Sequence, residues 1–202
     1  MRFFLSLLFV LALASPARAD FAPADPETLQ VEAYLNGIHT LKARFIQTSG
    51  DGKQVAGDFY LDRPGHMRFQ YDPPVTDFIV ADGLFVYYYD GQMKQQSNTP
   101  ITLSLADFFL RKNLSFSGDL KVSGIKRDGG LLQVTLVQTK DPLAGSLTLG
   151  FTENPMQLKK WRVVDPQGAV TEVELFDLQT GITLKSNLFK YYDPSHNNPS
   201  YN

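Results

Sequence analysis

From Leu41 onward the chain alternates between apolar and polar positions. Leu41, Ala43 and Phe45 are interleaved with Lys42 and Arg44; Phe59 and Leu61 with Asp58 and Asp62; Met67, Phe69 and Tyr71 with His66, Arg68 and Gln70. The same period returns later, where Leu132, Val134 and Leu136 oppose Gln133 and Thr135, and Leu147, Leu149 and Phe151 oppose Ser146, Thr148 and Gly150. A period of two places one set of side chains on each face of a strand, so these runs predict strands with one apolar and one wet face. Between them stand turn formers: Ser49-Gly50-Asp51-Gly52, Asp82-Gly83, Asp90-Gly91, Asp128-Gly129-Gly130 and Asp165-Pro166-Gln167-Gly168. Tight turns between neighbouring strands predict an antiparallel meander of about ten or eleven strands.

Two segments follow a helical period instead. Asp25-Pro26-Glu27 supplies a cap and a first-turn proline, after which Val31, Tyr34, Leu35 and Ile38 recur at helical spacing up to Gly37. Ser104 to Lys112 places Leu105, Phe108 and Phe109 on one face, with Ser104 and Asp107 in the spacing of a capping box and Arg111 and Lys112 near the end. A sheet of this size curls, and helices across its opening would cover the apolar concave side. Two arrangements satisfy that pattern: a filled helix-on-sheet core, or the same layers around a ligand cavity.

Arg63 breaks the pattern. By parity with Val55, Phe59 and Leu61 it points toward the apolar face, unless the alternation ends at Pro64 and the side chain reaches the surface. An unpaired guanidinium among apolar groups costs several kcal/mol, so an inward Arg63 requires carbonyl or carboxylate partners.

The first 19 residues combine Arg2, an apolar run from Phe3 to Ala14, Pro16 and the small-residue site Ala17-Arg18-Ala19. This is the pattern of a secretory signal peptide, with a mature chain from Asp20 forming a single domain and a loose tail over 193–202. Its removal takes two arginines and no acid, which deepens a formal charge already at −2. Such an acidic balance argues against a nucleic-acid partner. The absence of cysteine excludes disulfides, thiolate metal sites, thiol nucleophiles and a lipidated cysteine. An exported chain of this kind is expected in the periplasm, as an unanchored monomer.

Chemistry-bearing motifs are absent. His39, His66 and His196 have no metal-ligand spacing, and no nucleophile elbow, phosphate loop or dinucleotide fingerprint occurs. The paired acids Asp58 and Asp62, and Glu172 and Glu174, have the spacing of a solvated strand face. No catalytic residue, metal or cofactor is therefore expected, and an enzyme is disfavoured.

Phe45 and Gln47 in ARFIQT, Gly57 in GDFYL, Arg63-Pro64, the run Met67 to Phe69, Tyr71 with Pro73-Pro74, Ile79 to Gly83, and Tyr89-Asp90 together resemble the periplasmic outer-membrane lipoprotein carrier family, LolA. The likeness is densest between Leu41 and Asp90; the second half matches mainly by strand pattern, and Met67 stands where an aromatic is frequent. The resemblance implies a mainly β, incomplete antiparallel barrel with short helices as a lid over a hydrophobic cavity for lipoprotein acyl chains. It further implies cargo received from an inner-membrane ABC transporter and passed to an outer-membrane receptor, with Arg63 hydrogen-bonded to the lid in the closed form. With the apolar strand faces, this gives an acyl-binding set of Phe45, Phe59, Leu61, Met67, Phe69, Tyr71, Val80, Leu105, Phe108, Phe109, Leu147, Leu149 and Phe151. Two other readings stay open: a related carrier of free lipids or acyl-sensing signalling module, and a structural β-domain without a cavity. Lys159, Lys160 and Arg162 beside Trp161 are either a docking patch for the transporter or the wet edge of a strand.

Overall fold

The computed structural model describes residues 25–104 and 106–194; the signal-peptide segment, Leu105, His196 and most of the tail over 193–202 lie outside them. Helix α1 (Pro26–Asn36) leads into β1 (Thr40–Ser49), β2 (Gln54–Asp62), β3 (His66–Tyr71), β4 (Phe78–Asp82), β5 (Phe85–Asp90) and β6 (Gln95–Pro100). A 3-10 turn over Ile101–Leu103 and helix α2 (Ala106–Leu110) precede β7 (Leu120–Asp128) and β8 (Leu131–Gln138). Then come β9 (Ser146–Glu153), β10 (Met156–Val164) and β11 (Val170–Thr180), and a second 3-10 turn at Ser186–Phe189.

The 11 strands of the described residues form one antiparallel sheet in the order β6-β5-β4-β3-β2-β1-β11-β10-β9-β8-β7. Two meanders are thus joined by the pairing of β1 with β11, and β6 and β7 remain as free edges. Register carries the apolar parity from strand to strand. Ala43, Phe59, Phe69 and Ile79 stand in one cross-strand row, and Val173, Trp161, Leu149 and Val134 in another. These residues form one inner face and one continuous core. Register shifts at Lys42/Arg44, Leu158/Lys160 and Val122/Gly124 add local twist, which curves the sheet around that face.

Helix α1 starts as its sequence requires, with the Asp25 carboxylate accepting from the Glu27 N–H at 2.8 Å and Pro26 in the first turn. Its Val31 and Leu35 are buried against the sheet. Helix α2 is shorter than the spacing predicts, and Ser104 and Asp107 do not form a capping box. Ser104 Oγ instead donates back to the Ile101 carbonyl at 2.9 Å, while the Asp107 carboxylate is taken by Arg111. The preceding 3-10 turn thus supplies the acceptor for the Ser104 hydroxyl.

Candidate functional site

The inner face meets α2 around an apolar cavity of about 230 Å³. Its walls are Phe59, Met67 and Phe69 from β2 and β3, Leu147 from β9 and Phe109 from α2, together with Ile79, Ala106, Trp161 and Val163. The aromatic members touch one another. Phe59 and Phe69 have ring centroids 4.6 Å apart, Phe59 and Trp161 5.5 Å, and Phe109 and Trp161 5.0 Å. Two larger hollows are surface recesses: a mixed aromatic and polar one of about 470 Å³ between β3–β5 and the C-terminal segment, and a polar one of about 340 Å³ on the outer face of β7–β11.

The other residues of the sequence-derived set occupy different positions. Phe45, Leu61, Tyr71, Leu149 and Phe151 are buried in the surrounding core without lining the cavity. Phe108 turns to a narrow gap beside Leu120, Leu136 and Leu147. Val80 is a correction to the expected cavity wall, because it pairs with Arg68 and Tyr87 on the outer face and packs with Phe78 and Tyr89. Its even number in β4 sets it opposite Ile79 and Ala81, whose side chains take the inner face. Leu105 lies outside the described residues.

Arg63 is inward and 8 % exposed. Its Nε donates to the carbonyl of Phe109 at 2.6 Å and its Nη1 to the carbonyl of Leu35 at 2.6 Å, so one guanidinium joins both helices. Each acceptor lies in the last turn of its helix, where carbonyls lack intrahelical partners and the helix dipole favours a cation. Desolvation lowers the Arg63 pKa to about 10, which leaves it charged at neutral pH. The neighbouring backbone reinforces the junction: Arg63 N–H donates to the His39 carbonyl at 2.8 Å and Gly65 N–H to the Leu110 carbonyl at 3.0 Å.

The helical segments are also bound to the loop after α2 and to the far half of the sheet. Asn36 clamps Leu114 in both directions, its amide nitrogen donating to the Leu114 carbonyl at 3.0 Å and its oxygen accepting from the Leu114 N–H at 2.7 Å. Glu32 accepts from the Phe116 N–H, and the Tyr34 hydroxyl from the Leu158 N–H. Arg127 binds Glu27 and Glu153 together, which holds the start of α1 to the end of β9. Arg111 ties Asp107 to Asp119 ahead of β7.

Sequence reasoning missed Trp161 and Val163. Lys160 and Arg162 were the visible feature there, but β10 is an interior strand, paired on both sides. Its extra residue at Lys159 resets the alternation, so that Lys160 and Arg162 face outward and Trp161 and Val163 inward. The apolar parity of Trp161 and Val163 was the available signal.

The cavity wall carries no titratable group, so the arrangement offers apolar burial. Among the described residues no three His, Asp or Glu side chains converge as metal ligands, and no helix is long and apolar enough to cross a membrane.

A family model, the outer membrane lipoprotein carrier protein LolA, matches residues 36–192. The chain is 29% identical over 210 residues to an outer-membrane lipoprotein carrier protein of Methylococcus capsulatus, covering 93% of each chain. It is 31% identical over 206 residues to a protein of the same name from Azotobacter vinelandii, again over 93% of each. An uncharacterised protein of Rickettsia prowazekii is 27% identical over 162 residues, which span 80% of this chain and 74% of that one. With its matching region running from the end of α1 through the whole sheet, this chain belongs to the LolA outer membrane lipoprotein carrier family.

Proposed function

We propose that this protein is a periplasmic carrier that encloses the acyl chains of lipoproteins, takes them from an inner-membrane ABC transporter and passes them to an outer-membrane receptor. It acts as a monomer without cofactor or catalysis, and its first 19 residues direct export. The observation that carries this reading is the apolar cavity walled on one side by α2, a helix that a single buried arginine joins to α1. Family membership supports the same reading.

Magnitudes make the arrangement workable. A sixteen-carbon chain moved from water into an apolar site gains about 12 kcal/mol at most, which is why lipoproteins need a carrier across water. Each hydrogen bond from a charged donor contributes about 1.5–3 kcal/mol, so opening two of them offsets part of one chain's gain without abolishing it. Carriage with release then requires no nucleotide, because the closed empty state competes with the loaded one.

Incubating the mature protein with spheroplasts tests this reading. The expected result is newly made lipoprotein in the supernatant as a one-to-one complex with it. No release, under conditions where a control carrier releases lipoprotein, would overturn the proposal in favour of a free-lipid carrier or acyl sensor.

A further inference from the structure

Phe109 belongs to the cavity and to the latch at once. Its ring lines the cavity, 5.0 Å from Trp161 and 9 % exposed, while its carbonyl accepts the Arg63 Nε hydrogen bond at 2.6 Å. No other residue of the described chain both lines this cavity and bonds to the Arg63 guanidinium. The ring fills space continuous with the cavity, so in the closed state the acyl site holds a tethered apolar group of the protein's own.

The ring cannot readily leave alone. It has two side-chain torsions, helical backbone restricts the first, and the Phe108 ring stands 5.1 Å away in an edge-on contact. Helix α2 spans five residues, so a displacement that clears the ring from Trp161 also carries the Phe109 carbonyl.

We propose that Phe109 is the positioning residue that couples cavity occupancy to the latch. Its ring occupies the acyl site when the carrier is empty, and an entering chain displaces the ring and, with it, the carbonyl held by Arg63. Closure runs the same path backwards, with ring and chain exclusive occupants of one site. This rests on the carrier reading above and assigns its switch to one residue.

The chain has one tryptophan, and it stands at this site, so its emission reports occupancy directly. The test is palmitate titration of the mature wild type, Phe109→Ala, Arg63→Met and the double variant, with Phe109→Leu as the milder replacement should alanine unfold α2. Removing the ring is expected to tighten palmitate binding about tenfold, and leucine by less. With Arg63 already replaced the lid is free, and the alanine gain is expected to fall below about threefold, the non-additivity of coupled sites. Equal gains in both backgrounds, or weaker binding by Phe109→Ala, would overturn the coupling while leaving the carrier reading in place. Palmitate binding by no protein, wild type included, would overturn both.

Discussion

The Nη1 of Arg63 lies 2.6 Å from the carbonyl oxygen of Leu35, a charged donor from the β2–β3 connection seated against the last turn of α1. Neither residue needs the other for local structure. The helix could end in solvent, and the hairpin could turn with any polar residue. Their contact is a tertiary choice that commits a buried charge to joining the two helices, and such a charge repays its desolvation only through good partners.

That choice predicts a separation of stability from lid closure. Replacing Arg63 by Met removes a desolvated charge together with its two hydrogen bonds, and the freed carbonyls of Leu35 and Phe109 can take water once the helices part. The thermal midpoint is expected to stay within about 5 °C of wild type. Hydrogen exchange of residues 106–116 is expected to accelerate, which mass spectrometry of peptides would measure.

Gly57 predicts a steep cost. It pairs with Phe45 on one side and Tyr71 on the other, and those two rings meet at 5.3 Å. A Cβ at Gly57 would stand 2.2 Å from the Gln70 carbonyl oxygen and 2.8 Å from the Phe45 ring, so backbone as well as side chain would have to shift. Gly57→Ala is expected to destabilise the fold by about 3 kcal/mol, read as a lower urea midpoint with unchanged slope.

Val80 distinguishes the two faces of the sheet. Val80→Ala empties space in the outer cluster of Phe78 and Tyr89, and is expected to cost about 2 kcal/mol in urea unfolding. Palmitate affinity read from Trp161 emission should not change, because the cavity lies across the sheet.

Acid should weaken the connection between α2 and β7. Hydrogen bonds from Arg111 hold the Asp119 carboxyl below its usual value of 3.8. An acid lowered in the folded state contributes stability above its unfolded value and loses it as pH falls through the lower folded one. Urea midpoints of wild type and Asp119→Asn should therefore differ modestly at pH 5 and converge as pH falls through the lowered folded value, modestly because Asp119 is largely exposed.

Much of this architecture could be read from parity. The inner rows through Phe59, Phe69 and Leu149 follow from alternation with turn residues, since a half-buried strand has no other stable arrangement. Helix α1 was legible from Asp25 and Pro26. Strand β6, Gln95–Pro100, was not, because an edge strand exposed throughout carries no apolar alternation. Val80 misled through its apolar neighbours: in Phe78 to Ala81 both faces are covered, and a run apolar on both faces has no parity to read. Trp161 was hidden by a bulge and by the charges beside it. The partners of Arg63 lie 28 and 46 positions away, and no local pattern encodes such contacts.

Hand-off by Arg63→Leu measures most directly whether the Arg63 latch drives release. Lipoprotein complexes of wild type and variant, prepared from spheroplasts, would be mixed with outer-membrane vesicles bearing the receptor, and transferred cargo followed over time. The latch account predicts that the variant loads normally and then retains its cargo, with transfer reduced about tenfold or more, because its closed state no longer competes with the chains. Transfer at the wild-type rate would contradict it.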